Sequence, residues 1–140
     1  NPQSFLLLDI DHFKKINDNF GHIFGDVILK EFAGVVSQLL RDSDLLIRYG
    51  GEEFLIILVH ADKHMAHMIA ERIRATIEKN AFPKLKSGAI TCSIGLSSWT
   101  KNKGEFDGPR LLKAADDALY HAKRNGRNQI AADPSQGDMK

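Results

Sequence analysis

The chain has 140 residues, of which 43% are hydrophobic and 26% are charged, as expected for one globular domain with a buried core. Its 19 basic and 18 acidic residues leave a net charge of +1, which argues against binding nucleic acid or membrane surfaces through a basic excess. The single cysteine, Cys92, excludes an intrachain disulfide, and no apolar run approaches the length of a membrane span.

The first predicted elements are a strand and a short helix. Residues 5–8 are apolar and lead directly into Asp9, a pattern typical of a strand that is buried on both faces and ends in an acidic residue. Polar groups at strand ends commonly line functional sites. Over residues 12–20 the apolar side chains are spaced by three and four residues, which predicts a short helix.

Two glycines separate that helix from a longer one. We expect Gly21 and Gly25 to break the chain and to lead into Asp26. From residue 27 the apolar side chains follow a helical period, which predicts a helix that ends near Arg41.

A β-hairpin is predicted around Gly50 and Gly51. The apolar runs on either side have strand character, and glycine supplies the positive φ that tight hairpin turns require. Glu52 and Glu53 follow the turn, where their like charges repel. A bound cation would remove that repulsion, and paired carboxylates on a rigid turn suit Mg²⁺ with a phosphate substrate, which the glycines would let approach the backbone. The alternative interpretation is an acidic surface turn.

Two more helices and two more strands are predicted in the second half of the chain. Met65, Ile69, Ile73 and Ile77 recur every four residues, which predicts an amphipathic helix with this stripe in the core. Residues 89–96 alternate with period two, as a strand does.

The last predicted elements close the domain. Pro109 begins a third long helix that ends near Asn125, and residues 129–132 form a short final strand. Strands separated by helices predict an α/β fold, a single mixed β-sheet flanked by helices. One domain is expected over residues 1–132, with residues 133–140 as a disordered tail.

Several segments together resemble the GGDEF domain family of diguanylate cyclases. Residues 48–54 (RYGGEEF) are similar to the signature of the family, and residues 8–18 (LDIDHFKKIND) resemble its first motif. Further similar segments follow in the family's order and spacing at residues 21–26, 93–95, 114–120 and 122–128. The resemblance covers nearly the whole chain and implies a palm-domain-like fold, as in polymerases and class III nucleotide cyclases.

The same resemblance implies an enzyme that condenses two GTP molecules into cyclic di-GMP with release of pyrophosphate. Two domains would meet as a homodimer, so that each 3′-hydroxyl attacks the α-phosphate of the other GTP. The implied partners are GTP and cyclic di-GMP, with no nucleic acid. The family's usual N-terminal segment, with a Leu-Thr and an Asn-Arg-Arg-like stretch, is absent before the first strand. We therefore expect a missing N-terminal sensory region and a cytoplasmic domain, with or without a membrane anchor elsewhere in the full-length protein.

Metal ligands follow from the resemblance. It implies that Asp9, the carbonyl of Ile10 and Glu52 bind Mg²⁺, or Mn²⁺ in its place, with Glu53 in the same region. The residues agree, because Asp9 ends a strand that can neighbour the hairpin, so that three carboxylates can converge on two metals bridging a triphosphate. Glu52 has also been considered as the base for the 3′-hydroxyl, although a metal-bound carboxylate is a poor base. The alternative for Asp9 is a helix cap at a strand end.

Substrate-binding residues are implied in the same way. By the resemblance, Asn17 and Asp26 match the family's guanine-reading positions. The chemistry fits, because a carboxylate accepts from guanine N1–H and the exocyclic amine, and adenine lacks that donor pair. The alternative for both is helix termination and N-capping beside glycines. Lys123 and Arg127 match phosphate-contacting residues, with ordinary helix C-terminal basic residues as the alternative. The expected substrate site therefore comprises Asn17, Asp26, Gly50, Gly51, Lys123 and Arg127, and the expected catalytic residues are Glu52, Glu53, Lys123 and Arg127.

An allosteric site for the product is also implied. Arg41 and Asp44 form an Arg-x-x-Asp placed before the hairpin as in the family's inhibitory site, and Arg72 matches a further basic position there. A solvated surface pair is the alternative. Two other functions remain open for the chain: a catalytically silent receptor for cyclic di-GMP, and a GTP-binding regulatory module. An enzyme making a mixed or an adenine dinucleotide is disfavoured by Asp26.

Overall fold

Five strands and four α-helices form over residues 1–133, the part of the chain that this computed structural model describes. In chain order they are β1 (Gln3–Ile10), α1 (Phe13–Phe20), α2 (His22–Leu39), β2 (Leu45–Arg48), β3 (Glu53–Val59), α3 (Lys63–Lys79), β4 (Cys92–Trp99), a short 3-10 helix (Lys101–Lys103), α4 (Gly108–Arg124) and β5 (Ile130–Ala132). Of the predicted tail, residues 134–140 lie outside the described residues, and Asp133 is buried with its N–H bonded to the Leu96 carbonyl.

One five-stranded mixed sheet organises the domain, in the order β2-β3-β1-β4-β5. β1 lies at its centre and pairs antiparallel with β3 and β4, whereas β5 runs parallel to β4. The order of elements and the single mixed sheet flanked by helices confirm the predicted α/β fold. Within the described residues, no helix has the length and apolar character that a membrane crossing needs.

The central strand is buried on both faces, as its continuous apolar run predicts. Leu6, Leu8 and Ile10 belong to the larger core, which α2 and α3 cover. Phe5 and Leu7 point the other way into a smaller core beneath α4. Since side chains alternate across a strand, Asp9 lies on the α4 face of the sheet, and this places its carboxylate beside the end of α4.

The predicted break before Asp26 is wrong, because α2 begins at His22 and carries Gly25 and Asp26 in its first turns. Gly21 alone makes the break, with φ of 89°. Gly25 is required by packing: a Cβ at that position would lie 2.0 Å from Asn17 Oδ1. Neither Asn17 nor Asp26 caps a helix in this structure, so capping does not account for these two residues.

The hairpin forms as predicted, with Arg48 opposite Phe54, but the reason given for its glycines is wrong. Neither Gly50 nor Gly51 has a positive φ. A Cβ at Gly51 would meet no atom within 4 Å, and one at Gly50 would meet only the Glu53 side chain, at 3.7 Å. Neither conformation nor crowding therefore requires glycine in this turn.

Two other local predictions need correction. Ile69, Ile73 and Ile77 are buried on α3, but Met65 at the start of the stripe is 41% exposed, with its sulfur accepting from Arg41 Nη1 at 3.4 Å. The strand predicted over residues 89–96 lies three residues later, as β4, because its pairing with β1 sets its limits.

Candidate active site

Three carboxylates gather where β1 and β3 end. Asp9 pairs with Glu53 in the antiparallel register, so the two side chains lie on the same face of neighbouring strands. The Ile10 N–H donates to the Glu52 carbonyl at 3.3 Å, which ties the end of β1 to the hairpin turn. The predicted convergence of Asp9 with Glu52 and Glu53 is present, and Asp9 is only 3% exposed.

A lysine from the opposite end of the sequence enters this cluster. Lys123 lies in the last turn of α4, and its ammonium contacts the Asp9 carboxylate and lies 3.9 Å from Glu53 Oε2. The helix packs over the sheet face that carries Asp9, so the fold itself brings the cation to the acids. We call Asp9, Glu52, Glu53 and Lys123 the acid cluster.

The acid cluster has more negative than positive charge, and its pKa values reflect this. Burial raises the pKa of Asp9, although the Lys123 ammonium opposes that shift. Burial, followed by the charge of Asp9, also raises the pKa values of Glu52 and Glu53. Burial alone would lower the pKa of Lys123, but its hydrogen bond with Asp9 and the surrounding carboxylates together leave that pKa raised. An additional cation would therefore be favourable here.

The donor set of the acid cluster fits Mg²⁺ that arrives with a phosphate ligand. Across residues 1–133, no group of three His, Cys, Asp or Glu side chains encloses a metal position on its own. Mg²⁺ is commonly held by one or two carboxylates together with substrate phosphates, and Asp9 with Glu52 or Glu53 matches that need. The contact of Lys123 with Asp9 shows that the cluster can accommodate a positive charge.

The hairpin turn is held by an arginine that the sequence interpretation did not single out. Arg48 donates from Nε to the Gly50 carbonyl at 3.3 Å and from Nη2 to the Gly51 carbonyl at 2.7 Å. The N–H groups of Tyr49 and Gly50 both bond to the Glu53 carbonyl, which closes the turn from the other side. Arg48 is the first residue of the signature segment, and its position beside two glycine carbonyls was the available signal.

A cavity of about 410 Å³ joins the hairpin to the first two helices. It brings together both predicted guanine-reading residues and two residues of the turn, and its lining is Phe13, Lys14, Asn17, His22, Asp26, Leu29, Arg48, Gly51 and Glu52. Among the described residues, Asn17 Oδ1 is the one buried side-chain polar atom that lacks a hydrogen-bond partner. Because such atoms are costly to leave unpaired, a ligand that donates a hydrogen bond is favoured at this position.

The second predicted phosphate ligand, Arg127, lies in the turn that follows α4. Its side chain is exposed, and its N–H bonds to the Ala122 carbonyl at 3.0 Å, beside Lys123. The structure therefore places the two basic residues at the same end of α4, with Lys123 already in the acid cluster. Arg124, between them, points to Tyr120.

The three residues of the predicted inhibitory site lie near one another but are engaged with the protein. The Arg41 side chain donates to the Asp44 carboxylate at 2.7, 3.0 and 3.2 Å, and it also donates to the Val59 carbonyl. The Asp44 side chain is fully buried, so the alternative of a solvated surface pair does not describe it. Arg72, on α3, donates to the Leu39 carbonyl at 3.0 Å.

Comparison with known proteins agrees with this arrangement. The family model described as "Diguanylate cyclase, GGDEF domain" matches residues 1–129. Diguanylate cyclase A of Treponema denticola is 41% identical over 128 residues, which are 91% of this chain and 34% of that protein. The chain thus spans about a third of the length of that relative.

Solved structures share the fold. The active GGEEF domain of a diguanylate cyclase from Vibrio cholerae has a TM-score of 0.86 and 36% identity, with 95% of this chain and 83% of that chain covered. The GGDEF domain of DgcB from Caulobacter crescentus, solved in complex with c-di-GMP, has a TM-score of 0.85 and 32% identity, with 96% and 77% covered. These similarities confirm the predicted palm-like fold.

Proposed function

This chain belongs to the GGDEF domain family of diguanylate cyclases, and we propose that residues 1–132 form a catalytic domain that condenses GTP into cyclic di-GMP. One observation supports this most strongly. Glu52 is shared by the acid cluster, through its interaction with Asp9, and by the cavity that holds Asn17 and Asp26. A nucleotide with its base in the cavity would therefore carry its phosphates to the acids.

We propose that the cavity reads guanine. The Asp26 carboxylate would accept from N1–H and the exocyclic amine, and the unpaired Asn17 Oδ1 would accept a further donor of the base. Adenine lacks that donor pair and would leave these acceptors unsatisfied, which gives a site of this type large discrimination. The close packing of Gly25 against Asn17 fixes where the acceptor lies.

The hairpin turn would receive the triphosphate. Because neither Gly50 nor Gly51 is required by the fold, their lack of side chains is best explained by a ligand that approaches the backbone. Lys123 and Arg127 would contact phosphate oxygens from the other side. Lys123 would exchange part of its contact with Asp9 for the phosphates when the ligand binds.

Asp9, the Ile10 carbonyl, Glu52 and Glu53 are the proposed ligands of Mg²⁺, or of Mn²⁺ in its place. When bound, two such ions would offset charge on the triphosphate and favour deprotonation of the attacking 3′-hydroxyl. The chain's own contribution is to hold carboxylates and Lys123 at fixed positions before substrate arrives, so that little rearrangement accompanies the reaction.

One domain of this kind holds one GTP, so we propose that two copies act as a homodimer. The product has two-fold symmetry, and a two-fold dimer would present each 3′-hydroxyl to the α-phosphate of the other nucleotide. Since relatives such as diguanylate cyclase A are about three times longer, we propose that a further region of the full-length protein controls this pairing.

The decisive experiment is to incubate the full-length protein with GTP and Mg²⁺ and to separate the products by chromatography. Cyclic di-GMP and pyrophosphate should accumulate, and Glu52→Gln should abolish most of this product. Glu105→Gln is the matched control, because it makes the same change at an exposed loop position. A wild-type protein that binds GTP but yields no cyclic di-GMP would overturn the enzymatic proposal in favour of a silent receptor or regulatory module.

We further propose that cyclic di-GMP inhibits the enzyme by binding at Arg41, Asp44 and Arg72. Because Asp44 is buried against Arg41, the site would have to open before a guanine edge could reach that carboxylate, whereas the partly exposed Arg41 and Arg72 can meet a phosphate directly. Calorimetry with cyclic di-GMP tests this: Arg72→Ala should weaken binding. Unchanged binding in that variant would contradict the proposed inhibitory site.

A further inference from the structure

The turn after α4 has an unusual backbone. Arg127 has φ of 64° and Asn128 has φ of 49°, so two consecutive residues with side chains occupy the left-handed region. That region is unfavourable for most residues with side chains, such as Arg127, although asparagine tolerates it better. Backbone of this kind concentrates at functional sites. The contacts that maintain it here are therefore informative.

Asn128 is held at its backbone and at both ends of its side chain. Its N–H donates to Asp11 Oδ2 at 3.0 Å. Its side-chain oxygen accepts from Arg74 Nη1 at 2.9 Å, and its side-chain nitrogen donates to Glu78 Oε2 at 3.2 Å. Asp11, which directly follows β1, and two residues of α3 thus converge on one asparagine in the turn.

Asp11 and Arg74, which we call the anchors of Asn128, are themselves held by further hydrogen bonds. Asp11 is only 6% exposed and accepts from the hydroxyls of Thr91 and Ser93, both at 2.7 Å. Arg74 is bonded to Glu71 and Glu78 on its own helix. Neither anchor can move without breaking several bonds, so each provides a rigid reference for the turn.

These anchors connect the turn to the acid cluster. Asp11 lies two residues after Asp9 at the same strand end, and Asn128 is the residue next to Arg127. The position of the Arg127 backbone relative to Asp9 is therefore set by a short path through Asp11 and Asn128. Arg127 has an exposed side chain and would need such support to meet an anion at a fixed place.

We propose that Asn128, whose side chain is held by Arg74 and Glu78, is a positioning residue that aims Arg127 at the phosphates of the nucleotide. The inference rests on the proposed function, since it needs a triphosphate at the acid cluster. Asn128 touches no phosphate itself and acts through the backbone of its neighbour. Its loss weakens binding of the triphosphate and leaves guanine recognition unchanged.

The test is equilibrium binding to the chain of two ligands in the presence of Mg²⁺. One is a GTP analogue with a methylene bridge between the α- and β-phosphates, which cannot release pyrophosphate, and the other is GMP. Asn128→Ala should weaken binding of the triphosphate about five- to tenfold, within the range seen for coupled neighbouring groups. It should change the affinity for GMP by less than about twofold. Arg124→Ala is the matched control and should change neither affinity, because Arg124 bonds to Tyr120 and takes no part in the hydrogen bonds that hold Asn128.

Asn128→Gly separates the effect of the side-chain hydrogen bonds from the effect of the backbone conformation. Glycine adopts positive φ freely, so this variant avoids strain but lacks both side-chain bonds. It should show the same loss of triphosphate affinity as Asn128→Ala. A glycine variant that retains wild-type affinity would overturn the role of the side-chain bonds to Arg74 and Glu78. Circular dichroism on each variant identifies any that fails to fold.

A double-mutant cycle with Arg127→Ala decides whether Asn128 acts through Arg127. In the Arg127→Ala background, Asn128→Ala should cause no further loss of triphosphate affinity. Additive losses, or equal losses for GMP and the triphosphate, would overturn the inference and leave a purely structural role. A wild-type chain that binds the triphosphate no better than GMP would instead overturn the proposed phosphate site, so the two failures are distinguishable.

Discussion

Two charged regions of this domain differ in how their buried carboxylates are neutralised. In the acid cluster, three carboxylates share one lysine, and the pKa values of all three carboxyls are raised. At the pair of Arg41 and Asp44, one carboxylate has one guanidinium and a backbone N–H at 2.9 Å, and the bond to Asp44 raises the pKa of Arg41. The acid cluster therefore has fewer positive than negative charges, whereas the Asp44 carboxylate is paired within the protein.

The difference separates a ligand site from a structural site that would have to open in order to bind. A buried carboxylate without enough partners destabilises the protein until a cation arrives, whereas a paired carboxylate stabilises the chain that surrounds it. Neutralising a residue of the acid cluster should therefore leave the stability of the protein nearly unchanged and reduce its activity. Breaking the pair of Arg41 and Asp44 should instead reduce the stability and leave the activity nearly unchanged.

The largest effect is expected from Asp9→Asn. Removing this charge should lower kcat of the full-length protein by about 100-fold or more, the usual scale for losing one preorganised electrostatic contact. The melting temperature should change little or rise, because burial disfavours the ionised Asp9. Initial rates of cyclic di-GMP formation and thermal unfolding measure the two quantities. A variant with wild-type turnover would show that Asp9 has no part in the chemistry.

A large effect on stability is expected at the other region. Arg41→Ala should lower the free energy of unfolding by about 2–3 kcal/mol, because it leaves the buried Asp44 carboxylate without its main partner. Urea unfolding followed by circular dichroism measures this. Arg72→Ala removes a guanidinium from a more exposed position and should cost less than about 1 kcal/mol. Equal losses in the two variants would remove the contrast between the regions.

A moderate effect is expected at the hairpin turn. Gly51→Ala should change the free energy of unfolding by less than about 0.5 kcal/mol, since a Cβ there meets no atom within 4 Å and φ is not positive. It should nevertheless weaken binding of a nucleoside triphosphate, because the methyl group would occupy space that the phosphates need. Thermal unfolding and equilibrium binding together check this. Destabilisation without loss of affinity would mean that the glycine serves the fold.

The smallest effect concerns pH. Glu53 has a raised pKa in the folded chain, because of burial and the nearby Asp9, so the native state holds more protons than the unfolded state just above the ordinary pKa of 4.5. Stability contributed by this group therefore falls as pH rises through that window. Glu53→Gln should raise the melting temperature by about 1–2 °C at pH 7, and the gain should vanish as pH falls below the ordinary pKa. A gain that persists in acid would refute the charge-based explanation.

Much of the fold could be predicted from the sequence because hydrophobic spacing is a local signal. The continuous apolar run of β1 predicted a strand buried on both faces, and the spacing along α3 and α4 predicted helices, as observed. The motif segments predicted which acids belong together. The structure then placed Asp9 opposite Glu53.

Several of the errors share a physical cause, since they concerned residues whose environment is set by contacts between different elements. Gly25 is small because Asn17 packs against it, and the limits of β4 depend on its pairing with β1. No periodicity in the local sequence reports these contacts. The same applies to Met65, which continues the core stripe of α3 but is 41% exposed.

The sequence by itself determined the order of elements, the family and the set of acidic and basic residues that serve a nucleotide. Only the tertiary structure decided that Lys123 balances Asp9, that Asp11 and Arg74 hold Asn128, and that the turn glycines are free of any structural need. The physical reason is that charge balance and hydrogen bonding depend on distances between side chains, and folding sets those distances between residues more than a hundred positions apart.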